Sequence, residues 1–153
     1  MIPADALVLL DTSALVFLLR GGAVGQRIDE SHGLRTRRDR PLISIVPVGE
    51  LASFAMKRRW GATRRAAVAD LIAELVVIDL SQGDIVEAYA EIDHFSEREH
   101  KPARPMGKND IWIAATAKAA GAHLLTSDAD FDHLNPGHLR VHRFSPATGE
   151  PVS

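Results

Sequence analysis

The sequence predicts an α/β fold: a three-layer α/β/α arrangement around a central, mainly parallel sheet of four to five strands. Three observations predict it. Short apolar runs alternate with longer stretches of helical character from one end of the chain to the other. The first run is apolar throughout instead of alternating, which suits a strand covered on both faces. No repeat, low-complexity segment or linker divides the chain, and 153 residues at 46% hydrophobic content suffice for one core. A single domain over 1–153 is therefore expected, with its core at about 6–144 and residues 145–153 frayed.

In chain order, Ala6 to Leu10 is the first strand, followed by Asp11-Thr12-Ser13 and a short helix from Ala14 to Leu19. Asp11 thus falls at the carboxyl end of a central strand, where ligands gather in open α/β sheets, although Asp, Thr and Ser all cap helices equally well. A helix around Val24 to Glu30 is followed by Arg35 to Arg40, expected as a mobile surface loop. Leu42 to Val46 is the second strand, and a helix follows with Pro47 near its first turn and Glu50 within the first turn or so. Thr63 to Leu75 is helical and Leu75 to Leu80 is the third strand.

Ser81 is expected to cap a long helix whose core face is Ile85, Ala88, Tyr89, Ile92 and Phe95. The prolines of 101–107 interrupt helix and deliver the chain to Lys108. Asn109 reads as an N-cap and Asp110 as a first-turn acid of a helix that closes at Gly121. His123 to Thr126 is the fourth strand, ending in Ser127-Asp128-Ala129-Asp130-Phe131-Asp132, and Arg140 to Phe144 is a fifth, edge-like strand.

Composition narrows the classes. There is no cysteine, so disulfides and thiolate chemistry are excluded. The apolar run after Asp5 lacks a basic leader, and no stretch approaches the roughly 20 apolar residues a membrane span needs, so a cytoplasmic protein without membrane contact is expected. The net charge of −2 hides a segregation. Residues 35–65 carry nine Lys or Arg against two acids, whereas 70–99 carry nine acids against Arg98. A local basic surface can recruit polyanions even on an acidic protein, though solvated helix faces also account for both runs.

Asp11, Glu50, Asp110 and Asp128 are far apart in sequence, yet each falls at a strand's carboxyl end or near a helix's amino end. In a doubly wound sheet those ends share one edge. Four crowded carboxylates repel one another unless a cation neutralises them, and oxygen-only ligands select Mg²⁺ or Mn²⁺. One or two such ions activate water toward a phosphodiester, so the protein need supply no nucleophile.

The chain resembles the PIN-domain ribonucleases, and within them the VapC-like toxins of bacterial toxin–antitoxin pairs. The resemblance rests on Leu-Leu-Asp11-Thr-Ser-Ala-Leu, Ser44-Ile-Val-Pro-Val-Gly-Glu50-Leu, Gly107-Lys-Asn-Asp110-Ile-Trp-Ile-Ala-Ala-Thr-Ala and Leu-Leu-Thr126-Ser-Asp128-Ala-Asp-Phe131, and it runs from Leu7 to about Phe144. It implies a PIN-like fold and a metal-dependent endoribonuclease. Asp11 and Asp110 would be direct metal ligands, and Glu50 and Asp128 further or water-mediated ligands that also position the attacking water. Thr12 and Thr126 would hydrogen-bond the carboxylates, Asn109 would orient substrate, and Asp132 is a spare acid. The resemblance also implies an antitoxin that covers the site, and homodimers. Lys57, Arg58, Arg59, Arg64 and Arg65 would grip RNA phosphates. The basic loop at 35–40 departs from the family pattern.

Other readings fit less well. A phosphotransfer receiver needs an acidic pair near Asp11 and a lysine after a late strand, and a haloacid-dehalogenase-like phosphatase needs an Asp where Ser13 stands. A non-catalytic PIN-fold module that binds RNA or a partner remains the alternative. His133, His138 and His142 are expected as isolated surface histidines, not a zinc site. No Gly-x-Ser-x-Gly, Gly-x-Gly-x-x-Gly or P-loop is present.

Overall fold

The computed structural model describes residues 1–152. Its core is a six-stranded sheet in the order β3-β2-β1-β4-β5-β6, formed by β1 (Val8–Leu10), β2 (Leu42–Ser44), β3 (Val76–Ile78), β4 (His123–Thr126), β5 (Val141–Phe144) and β6 (Pro151–Val152). All pairings are parallel except β5 with β6. β1 lies between β2 and β4, with Leu9 opposite both Leu42 and Leu124. Side chains alternate across the sheet, so adjacent strand residues enter different cores. Leu9, Leu42 and Leu124 pack with α5 (Ile85–His94) and α6 (Lys108–Ala120); Val8, Leu10, Ile43 and Leu125 pack with α1 (Thr12–Arg20), α2 (Ala23–His32) and α4 (Ala62–Ala73). Both faces are covered, which is why these strands carry no polar alternation.

The strand count exceeds the expected four to five because the tail is not frayed. Phe144 pairs with Pro151, Ser145 N–H donates to Glu150 O at 2.8 Å, and the hairpin turns at Gly149. Gly149 has φ 79°, and a Cβ there would stand 2.5 Å from Val24 O, so the turn packs against α2 at a position only glycine fits.

Local chemistry moved several boundaries. β2 stops at Ser44, whose hydroxyl caps α3 (Ile45–Lys57) by accepting from Val46 N–H. Pro47 is then the helix's third residue and Glu50 lies in its second turn. Asp84, not Ser81, precedes α5; Ser81 instead bonds Asp79 through its N–H and hydroxyl. Gly107, not Asn109, precedes α6, leaving Asn109 exposed as the helix's second residue. A π-helical turn (Phe95–Glu99) extends α5, and a 3-10 turn (Ala129–Leu134) follows β4.

The loop at 35–40 is anchored, contrary to the mobile segment expected of it. The Arg37 guanidinium donates to the carbonyls of Ile2, Pro3, Ala6 and His32, and Arg35 pairs with Asp29 and Glu74. A guanidinium carries five donors in one plane, enough to satisfy the turn carbonyls of the N-terminal segment at once. No helix among the described residues is long and apolar enough to cross a membrane.

Candidate metal centre

The strand order 3-2-1-4-5 reverses direction between β1 and β4, which opens a crevice outside their carboxyl ends. Asp11 follows β1 and caps α1. Its Oδ1 accepts from Ala14 N–H at 3.0 Å and from the Ser13 hydroxyl at 2.6 Å, while Oδ2 accepts from the Thr126 hydroxyl at 2.5 Å. Cap and cluster member are therefore one role for this side chain. Burial raises the Asp11 pKa, the bonds from Ser13, Thr126 and Ala14 oppose that, and the Asp128 charge adds to the rise.

Thr126 is the hub on the other strand. Its oxygen also accepts Asp128 N–H at 2.9 Å, and Ser13 Oγ accepts Ser127 N–H at 3.0 Å. The ends of β1 and β4 are thus stitched by two hydroxyls and by Asp11 N–H to Leu125 O at 3.2 Å. From α3, Glu50 is reached by Thr12, whose hydroxyl donates to Oε1 at 2.8 Å.

Asp110 is the third residue of α6, where the helix dipole favours an anion, yet its pKa is pushed up to about 6. Burial is the first cause, and the charges of Asp128, Asp11, Asp130 and Glu50 follow. The other three expected acids, and Asp130, are thus all close enough for their charge to be felt at Asp110. Ligand oxygens of Asp110, Asp128 and Asp130 lie within 4.8 Å of one another. An oxygen-only set of this kind, crowded around Asp110, fits a hard divalent cation.

Asp130 was not among the expected acids, and Asp132 was. The Asp128 carboxylate accepts Asp130 N–H at 2.8 Å, folding the chain so that both carboxylates face Asp110, while Asp132 pairs with Arg143 Nε at 3.0 Å. The Asp-x-Asp spacing after a strand was the available signal. Ser13, which reads in the sequence only as a capping residue, bonds both Asp11 Oδ1 and Ser127 N–H. Asn109 is exposed beside Asp110. Lys57, Arg58, Arg59, Arg64 and Arg65 stand at the α3–α4 corner; Arg58 is eight residues beyond Glu50, roughly 12 Å along the helix at 1.5 Å per residue. Arg65 is partly spent on the carbonyls of Trp60 and Ala55.

The histidines are not isolated on the surface. His133 Nε2 lies 2.8 Å from Ser96 Oγ with its ring stacked on Phe95, His138 meets Lys118 Nζ at 2.9 Å, and His142 meets His123 at 2.9 Å. Half-burial explains the error, because each ring packs as an apolar surface with one polar edge. Burial first, then neighbouring positive charge, holds His32 and His142 down at about 4. Among the described residues the acids at the sheet edge are the one three-residue set of His, Asp or Glu spaced for a metal ion.

Comparison with known proteins agrees with this architecture. The sequence matches the family model of the PIN domain over residues 8–135. A chain of the VapBC2 complex from Rickettsia felis, solved bound to a DNA fragment from its promoter, has TM-score 0.73 and 20% identity, covering 90% of this chain and 98% of that one. A chain of DNA-bound VapBC from Salmonella typhimurium has TM-score 0.72 and 23% identity, covering 89% and 96%. A toxin-antitoxin complex from Klebsiella pneumoniae has TM-score 0.61 and 25% identity, covering 88% and 94%. No curated protein matches the sequence.

Proposed function

The chain belongs to the PIN domain family, and from that premise we propose that it is a Mg²⁺- or Mn²⁺-dependent endoribonuclease, the toxin of a toxin–antitoxin pair. The observation that supports the reading is the convergence of Asp11, Glu50, Asp110, Asp128 and Asp130 on the edge where β1 and β4 end. The solved VapBC and toxin-antitoxin complexes of similar fold support the pairing with an antitoxin.

In this reading Asp11 and Asp110 would hold the ion directly, and Glu50, Asp128 and Asp130 would hold it further out or through water. When bound, the ion supplies Lewis-acid activation of water and neutralises phosphodiester charge. The chain's own part is positional. Ser13, Ala14 and Thr126 lock the Asp11 carboxylate, and Thr12 occupies Glu50 Oε1, so Oε2 is left to take the proton of the attacking water. The water oxygen bonds to phosphorus, the bond to the leaving ribose oxygen breaks, and a solvent proton completes that hydroxyl. Asn109, exposed at the mouth, orients the substrate. The protein works as one domain in the cytoplasm, as a homodimer, and the antitoxin silences it by covering the acid edge.

The test is incubation of a cellular RNA pool with purified protein plus Mg²⁺, with EDTA, and as Asp110→Asn. Cleavage in the first alone is the expected result. Equal activity in all three overturns the metal-nuclease reading, and RNA binding without cleavage in any arm assigns the chain as a non-catalytic binding module.

A further inference from the structure

The turn after β4 (Ala129–Leu134) is a 3-10 helix, in which side chains three residues apart share a face. Each of its faces has an anchor. Phe131 and Leu134 are fully buried in the core that α5 and α6 share, and Asp132 pairs with Arg143 Nε at 3.0 Å. The third face carries Asp130 and His133. Its anchor lies outside the acid centre: His133 Nε2 stands 2.8 Å from Ser96 Oγ, joining residues 37 apart.

Ser96 is itself fixed. It is fully buried in the π-helical turn that extends α5, a rare geometry that recurs at functional sites. Phe95 O accepts His100 N–H at 2.8 Å and Ser96 O accepts Arg104 N–H at 2.7 Å, so the turn also holds the loop that leads to α6. The Phe95 ring lies parallel to that of His133, at 3° and 6.2 Å between centroids, which sets the plane of the imidazole. Burial, then the positive charges of His100 and Arg104, lower the His133 pKa, while the Asp130 carbonyl pulls the other way. The ring is therefore neutral, and its Nε2 accepts from the Ser96 hydroxyl. That leaves the proton on Nδ1, which is buried without a full hydrogen bond. A buried donor of this kind costs stability, so packing alone does not account for a histidine here.

We propose that His133 and Ser96 are positioning residues for the acid centre: their bond fixes the rotation of the 3-10 turn and so the direction in which Asp130 presents its carboxylate to Asp110 and Asp128. The inference rests on the metal-centre reading. Neither side chain touches ion or substrate in it, and both act through the backbone of the turn. Because Asp130 and His133 share a face, a rotation that swings Asp130 away from Asp110 also withdraws His133 from Ser96. The apolar contacts of Phe131 and Leu134 are non-directional, and the Asp132 pair is part-exposed. A buried hydrogen bond weakens steeply off its axis, so the Ser96 bond is the contact that specifies the angle.

The experiment measures Mn²⁺ affinity of the RNA-free protein by electron paramagnetic resonance, well below the Tm of every variant. His133→Phe keeps the ring stacked on Phe95 and deletes the acceptor, Ser96→Ala deletes the donor, and His133→Gln gives up the ring but offers an amide oxygen near the place of Nε2. His133→Phe and Ser96→Ala are each expected to weaken Mn²⁺ binding about three- to tenfold, below the loss that direct partners of a ligand cause. The double variant should bind no more weakly than either single one, because both remove the same bond. His133→Gln should restore the affinity while lowering Tm. In cleavage assays the Mg²⁺ midpoint should rise in step with the Mn²⁺ result, with kcat at saturating Mg²⁺ nearly intact. Ser96→Ala changes a single oxygen and keeps the test falsifiable if His133→Phe does not fold. Tight Mn²⁺ binding by the wild type with unchanged affinity in the variants overturns this inference alone, as does a ranking that follows Tm, with His133→Gln binding more weakly than His133→Phe. A wild type that binds no Mn²⁺ overturns the metal-centre reading and this inference with it.

Discussion

Thr126 donates its hydroxyl to Asp11 Oδ2 at 2.5 Å across the β1–β4 junction, joining residues 115 apart in sequence. The same oxygen accepts Asp128 N–H, so one hydroxyl orients a carboxylate on each side of the crevice. Thr126→Val keeps the shape and removes both bonds. We expect a loss of about 10- to 100-fold in Mg²⁺ dependence or activity, and about 1–3 kcal/mol of stability from the unsatisfied buried partners. Thr126→Ser should retain most of both. Mg²⁺ titration of cleavage with parallel denaturant melts checks this, and wild-type Mg²⁺ response in the valine variant would remove Thr126 from the site.

Asp110 should make the metal-free protein pH-sensitive. Its folded pKa of about 6 exceeds the ordinary carboxylate value, so its contribution to stability is complete at low pH and is lost as pH rises from about 4 through 6. His32 and His142, held at about 4, act oppositely: they favour the fold above about 6.5 and lose that contribution as pH falls toward 4. Comparing wild type with Asp110→Asn cancels the histidines. In EDTA the variant should melt higher than wild type at pH 8, by a smaller margin at pH 5, and nearly alike only as pH falls to about 4. A variant that melts lower at both pH values would mean the carboxylate is not repelled.

Asp130 and Asp132 separate by geometry. Asp130→Asn should weaken the Mg²⁺ requirement curve for cleavage, because it removes one of three carboxylates within 4.8 Å. Asp132→Asn should leave that curve unchanged and cost at most about 1 kcal/mol, the usual worth of a partly exposed pair with Arg143. The reverse ranking would return Asp132 to the candidate ligands.

Arg37→Ala should release residues 1–6 to proteolysis and destabilise the chain by about 2–4 kcal/mol, since the lost bonds join a charged group to several carbonyls. Cleavage per folded molecule should not change. If RNA affinity fell while Tm held, the loop at 35–40 would be a nucleic-acid contact and not a brace.

Much of this was legible from residues alone where the determinant is local. The short apolar β1, Gly121 closing α6, and the placement of Asp11 and Asp128 after strands all follow from neighbours within a few positions. Capping was less legible. Gly107 stands where Asn109 was expected and Asp84 where Ser81 was, and neither helix start carries a side-chain cap bond, so side-chain capping preference gave no guide to these boundaries. The role of Arg37 had no local signal, since its partners Ile2, Pro3 and Ala6 lie more than 30 residues away at the N-terminus.

By itself, then, the sequence determined the layered α/β pattern and the four acids Asp11, Glu50, Asp110 and Asp128, because hydrophobic runs and strand-end placement are properties of short segments. Tertiary structure decided what those acids meet. The parallel crossover set β4 beside β1 and brought Thr126 to Asp11. The turn at Asp128 aimed Asp130 at Asp110 and left Asp132 to Arg143, and the Gly149 turn folded the tail onto β5. These are outcomes of chain direction and register, which depend on distant segments closing on one another and so are not written in any one stretch.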